Sequence, residues 1–208
     1  MNEATKLAIK TGSCLAVFTF FSIATILGVD ASTKDYVKQA EIARLNSELG
    51  KMLPGIEYDN DIMASCREYS DPVLTDGSVR TYYTATKDGK EVGLIIRHLT
   101  KQGYSGAIEI LTGVAANGEI KKVTITKQTE TPGLGDRVMP EKSDWLMQFS
   151  GKSLAYDNFA VKKDGGDFTY FTGATVTPRA IVNAEGALLR YLQNNNTIKD
   201  SRPCGAEE

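Results

Sequence analysis

Residues 79–127 read VRTYYTATKDGKEVGLIIRHLTKQGYSGAIEILTGVAANGEIKKVTITK. Tyr, Val, Ile and Thr dominate the stretch, and such residues favour a pleated, half-buried surface. Asp88-Gly89 and Asn117-Gly118 interrupt it. Both pairs favour type I′ turns, whose central residues need positive φ. The spacing therefore predicts strands over 79–86 and 91–98 joined by one tight turn, and over 106–115 and 119–127 joined by another. Hairpins in series make an antiparallel sheet.

Working outward toward the C-terminus, Ser143 is placed to cap a short helix carrying Trp145, Leu146 and Phe149. A longer helix is expected over 178–194. Thr177 suits its N-cap and Pro178 its first helical position. Ile181, Ala184, Leu188 and Leu192 then form an apolar stripe. Beyond Thr197 the chain is polar, and loose unless Cys204 ties it down. Strands and helices occupy separate stretches, so the fold class is α+β.

Toward the N-terminus, residues 11–29 contain no charge. As a helix that run spans about 28 Å, close to the hydrocarbon thickness of a bilayer. A cleaved signal peptide and a buried core helix compete with an anchor. The apolar run is long for a signal, and Phe18, Phe20, Phe21, Ile23, Ile26 and Leu27 surround all faces of the helix. An uncleaved anchor is the expectation. Lys6 and Lys10 precede the span and Lys34, Lys38 and Arg44 follow it, so charge leaves its orientation open. Ser32 and Asp35 resemble a capping box, after which Ile42, Leu45, Leu49 and Met52 recur at helical spacing up to Pro54. The expected organisation is a cytoplasmic tip and anchor over 1–31, a helical stalk over 32–55, a domain over 56–197 and a polar tail over 198–208.

With 208 residues and 41% hydrophobic content, the chain has room for one ordinary core plus an appendage. The net charge of -2 argues against a nucleic-acid partner. His98 is the single histidine, and no cluster has metal-ligand spacing. Cys14 falls in the apolar run, whereas Cys66 and Cys204 lie in polar sequence. Outside the cytoplasm the latter two can bridge; otherwise they are free thiols, and composition leaves both readings open.

Two segments suit a ligand. TGATVT at 172–177 stands before the last helix, with three hydroxyls and a backbone left open by small residues. Helix-start N–H groups attract phosphate, although a capped helix after a tight turn explains the same residues. ETPGLG at 130–135 follows a strand and makes a bent loop that can lie against a flat ring, or serve only as a turn.

These two segments, together with GYSG at 103–106, resemble the motifs of the FMN-binding domain family. That family includes the G subunit of the Rnf (Rsx) electron-transport complex and the C subunit of the sodium-pumping NADH:quinone oxidoreductase. The run DGGDFTYFTGATVTPRA at 164–180 is particularly similar to the Rnf members, as are the chain length, the single anchor and the pair of polar-region cysteines. Relatives often carry serine where Thr172 stands. The resemblance implies a domain on the periplasmic side of a bacterial inner membrane. It implies FMN joined by a phosphodiester to Thr175, placed there by a magnesium-dependent flavin transferase that uses FAD. It further implies an electron-carrying subunit, without a complete reaction of its own, in an ion-translocating complex linking ferredoxin and NAD. On this reading Glu130, Thr131, Gly133 and Leu134 shape the ring pocket. Gly173, Ala174 and Thr177 surround the attachment point, and Tyr104 and Trp145 add aromatic contact or serve the core. The quinone-reductase subunit and an anchored protein holding FMN without a covalent bond are the alternatives.

Overall fold

The structure, a computed structural model, describes residues 2–194, 198 and 201–205. It divides into two compact units, Met1–Ser47 and Glu48–Glu208.

The first unit is most of helix α1 (Glu3–Leu49). Its segment Ile9–Lys34 is long and apolar enough to cross a membrane, a test that a signal sequence near the N-terminus also passes. Every side chain from Ile9 to Asp30 is exposed, with Phe18, Phe20 and Phe21 among them. The hydroxyls of Thr19 and Thr25 donate to the carbonyls of Leu15 and Phe21, four residues back. Such bonds hide polar groups from an apolar surrounding. Ser32 does the same to Gly28 at 2.7 Å, so it sits inside a continuous helix and does not cap a new one.

The second unit is built on a six-stranded antiparallel sheet in the order β5-β4-β3-β2-β1-β6. The strands are β1 (Arg67–Tyr69), β2 (Arg80–Lys87), β3 (Lys90–Thr100), β4 (Ile108–Ala115), β5 (Ile120–Lys127) and β6 (Arg202–Pro203). The first expected hairpin closes on Asp88 and Gly89, with φ of 51° and 72°. The second differs. Only Gly118 has positive φ, at 81°, and the ladder shifts register between Gly113 and Val114. Asn117 instead accepts from the Glu119 N–H through its side chain, so the longer loop closes without a type I′ turn.

Alternation along the strands buries both faces. One face carries Ile96, Ile110, Val114, Val123 and Ile125 and joins Trp145, Phe149, Phe168, Ile181 and Leu188 in the main core. The other presents Tyr83, Ile95 and Leu111, all buried. There the chain leaving α1 lies flat on the sheet. A Cβ at Gly113 would stand 2.0 Å from the Met52 carbonyl oxygen, and one at Gly93 would stand 3.2 Å from the Leu53 methyls. Strands covered on both sides read as continuous apolar runs, which accounts for Leu94-Ile95-Ile96. Each such side chain, fully buried, contributes about 1.5–3 kcal/mol.

Helix α2 (Val176–Asn194) begins two residues earlier than its sequence predicts and buries Ala180, Ile181, Val182, Leu188 and Leu189. It packs tightly enough that a Cβ on Gly186 would meet Phe159 at 2.8 Å. Trp145–Phe149 forms a 3-10 turn, with the Ser143 hydroxyl accepting from the Trp145 N–H. Cys66 and Cys204 form a disulfide with their Cα atoms 5.5 Å apart, beside the β1–β6 pairing. Arg67 and Tyr82 both bond Ser201, and Ile198 is buried in the main core. The described part of the tail is therefore fastened down.

Candidate functional site

A buried carboxylate draws three separate loops together. Glu130 is 5% exposed, at the end of the chain leaving β5. Its Oε1 accepts from the Ser105 N–H at 3.0 Å, and its Oε2 accepts from the Thr177 hydroxyl. A neighbouring side chain would not fit. A Cβ at Gly103 would lie 2.8 Å from Oε1, and a Cβ at Gly135 2.6 Å from Oε2. So GYSG, ETPGLG and TGATVT, scattered through the sequence, meet around one carboxylate, and Gly103 and Gly135 are what allow the approach.

The helix start follows from this junction. Thr177 does not cap α2, because it lies inside the helix with its hydroxyl engaged by Glu130. The capping position falls to Thr175, whose carbonyl accepts the first helical bond from the Arg179 N–H at 3.1 Å. The Val176 and Thr177 N–H groups precede the first helical bond and are the orphan donors of a helix N-terminus. Before them, Phe171 and Ala174 close a turn on Gly173, whose φ is 83°. Thr175 is half-buried and Thr172 exposed, and neither hydroxyl makes a hydrogen bond among the described residues.

The ETPGLG loop is held from within. Thr131 offers its carbonyl to Leu134 N–H at 3.1 Å, and Gly133 donates to Asp136 Oδ1 at 2.7 Å. Asp136 is itself buried, and Lys142 bonds its other oxygen at 2.6 Å. That ammonium holds the Asp136 carboxyl below its usual range. Sequence reading overlooked Asp136. Its only signal was an acid three residues beyond a glycine. The loop leaves Leu134 49% exposed at its tip, with open space around Gly133.

Tyr104 is exposed next to Ser105, and Val176 is exposed next to Thr175. Trp145 sits elsewhere in character. It is buried against Phe149 and Phe171, and its indole N–H donates to the Thr169 carbonyl at 2.9 Å. The structure thus joins Glu130 to Thr177, with Thr131, Gly133 and Leu134 following in the first loop and Gly173, Ala174 and Thr175 preceding in the second, has Tyr104 on the loop of Ser105, and places Trp145 in the core.

This donor set fits a flavin mononucleotide. The unpaired N–H groups at the start of α2 suit a phosphate, Thr175 offers a free hydroxyl beside them, and exposed apolar side chains flank the buried carboxylate. No group of His, Cys, Asp and Glu among the described residues is arranged to hold a metal ion.

Comparison with known proteins agrees with that chemistry. Residues 103–189, which hold all three loops, match the family model for the FMN-binding domain, and this defines the class. The chain is 36% identical over 203 residues to the G subunit of the ion-translocating oxidoreductase complex of Vibrio atlanticus, covering 95% of this chain and 97% of the relative. It is 40% identical over 178 residues to that of Salmonella typhi, covering 84% and 86%. It is 38% identical over 203 residues to that of Shewanella baltica, covering 96% of both. The chain belongs to the family formed by the G subunits of ion-translocating oxidoreductase complexes.

Proposed function

We propose that this chain carries FMN through a phosphodiester on Thr175 and relays electrons as a single-pass, periplasm-facing subunit of an inner-membrane complex. The observation that carries the reading is the meeting of the three loops on Glu130, which turns distant motifs into one site. Of the three hydroxyls in TGATVT, that of Thr177 is already engaged by Glu130. Thr175 stands at the helix start, where backbone N–H groups and the helix dipole favour an attached anion. Thr172 is farther from those donors.

Bound there, FMN supplies a centre that takes one or two electrons. The residues of this chain provide the rest. The Val176 and Thr177 N–H groups face the phosphate. Gly133 and Leu134 present a loop with no side chain at its bend and an apolar tip for the ring, and Tyr104 adds an aromatic face. Glu130 keeps the loop and the helix start in fixed register. The disulfide supports an oxidising compartment for the domain. The apolar helix then serves as an uncleaved anchor, with the bilayer, the other subunits of the complex and a flavin transferase as partners.

The test is a denaturing gel viewed under ultraviolet light, followed by peptide mass spectrometry. The expected result is a fluorescent band whose FMN maps to Thr175 and which Thr175→Ala abolishes while the domain still folds. Flavin lost on denaturation would favour a non-covalent carrier, and FMN on Thr172 or Thr177 would move the site. A mature chain beginning near Ser32 would replace the anchor with a signal.

A further inference from the structure

Arg179 stands one helical turn beyond Thr175, and its backbone N–H donates to the Thr175 carbonyl at 3.1 Å. Thr175 is the capping residue, and Arg179 lies in the first turn that follows it. A cation in the first turn opposes the helix dipole, so the helix itself gives no reason for arginine here. Its partner is Asp164, bonded to Nε at 2.5 Å and to Nη2 at 2.9 Å. This bidentate grip uses one edge of the guanidinium. The Nη1 hydrogens and the second Nη2 hydrogen make no hydrogen bond among the described residues.

Holding the loop of Asp164 does not explain the pair. The turn over Lys162–Asp164 is already fixed by Lys162 N–H to the Phe168 carbonyl at 2.7 Å, by Asn158 N–H to Asp167 at 2.7 Å and by the Asn158 amide to the Gly165 carbonyl at 3.2 Å. Gly166 lies so close that a Cβ would stand 2.0 Å from the Ala160 carbonyl oxygen. Both ion-pair partners are more than one-third exposed, and such a pair adds little stability. What the pair does achieve is to hold a long side chain in the first turn after Thr175 with three of its five N–H donors free. Planar, pre-oriented guanidinium is the group best matched to phosphate oxygens.

We propose that Arg179, oriented by Asp164, binds the phosphodiester on Thr175 through the edge of its guanidinium that Asp164 leaves free. The inference rests on the reading of Thr175 as the attachment point. Arg179 supplies the side-chain charge, and the start of α2 supplies the backbone donors. Asp164 is a positioning residue in this arrangement and does not touch the phosphate.

The experiment uses the full chain, matured in cells with its flavin and purified in a phosphorus-free detergent. Peptide mapping first locates FMN, and only a result away from Thr175 counts against the attachment reading. Phosphorus NMR of the phosphodiester and the depolarisation of flavin fluorescence then test Arg179. Arg179→Ala is expected to displace the phosphorus resonance and raise flavin mobility. Asp164→Asn keeps the cation and breaks the pair, and is expected to give a smaller displacement in the same direction. Arg179→Lys restores part of the wild-type signal and stands in for the alanine variant if that variant is poorly labelled. An unmoved resonance in the Arg179 variants would overturn the proposal. So would an Asp164→Asn displacement as large as that of Arg179→Ala, which would mean that the arginine only ties down the loop.

Discussion

Between Arg80 and Lys127 most residues lie in four strands, and their order comes from a backbone ladder that neighbouring strands repeat. Between Gln128 and Thr175 it has no named strand, only two isolated bridges and short 3-10 turns at Gly135–Val138, Trp145–Phe149 and Lys162–Asp164. Order in that second region comes from short backbone turns and from individual side chains: Glu130, Asp136, Gln148, Asp157 and Asp167 each accept from a particular backbone or hydroxyl group. A ladder tolerates the loss of one partner because its neighbours persist. The junction between the loops, which rests on the single carboxylate of Glu130, does not. The frame is therefore more redundant than the junction.

The sharpest way to break that contrast is Glu130→Ala. It leaves the buried Thr177 hydroxyl without its partner, at about 1–3 kcal/mol, and releases the N–H of the exposed Ser105 to water. Denaturant titration should show the loss, and covalent flavin should fall with it. Cys204→Ser comes next and acts on the frame. Opening the bridge should cost about 2–4 kcal/mol while the attached flavin remains, because the β1–β6 edge lies outside the three loops. Gly113→Ala tests the seat under Met52. Forcing a methyl against that carbonyl should lower the unfolding midpoint by an amount equivalent to about 1–3 kcal/mol. The smallest effect is acid sensitivity. The Arg179 guanidinium holds the Asp164 carboxyl below its usual value, so the stabilisation is complete at neutral pH and is lost as pH falls through that lowered value. Asp164→Asn should flatten the most acidic limb of the stability curve. An unchanged limb would show that the pair adds nothing to folding.

The regular half was largely legible. Asp88-Gly89 fixed one hairpin, and the β-branched runs placed four strands to within a few residues of β2 to β5. The edge strands β1 and β6 were not legible, because three residues and two carry too little periodicity. The apolar stripe of α2 was read correctly, but its start was not. Thr177 has the composition of an N-cap, and only the fold brings Glu130 close enough to claim its hydroxyl. Glu185 shows the same limit in the core. It is wholly buried, receiving the Thr112 hydroxyl at 2.8 Å with His98 3.3 Å away, and no pattern in the helix marks it as internal. The candidate loops were visible as small-residue motifs. Their convergence, and the supporting roles of Asp136 and Arg179, depend on contacts between distant parts of the chain.

The bridge between Cys66 and Cys204 has a consequence for damage. It closes a covalent ring of 138 residues in sequence separation, and Thr175 and all three loops lie inside that ring. A protease that cuts once anywhere between the two cysteines opens the ring without dividing the molecule. Where the cut falls before Thr175, the threonine-bearing fragment stays joined to the N-terminal helix through sulfur, and for any cut the nicked chain runs as one band until it is reduced and as two bands afterwards.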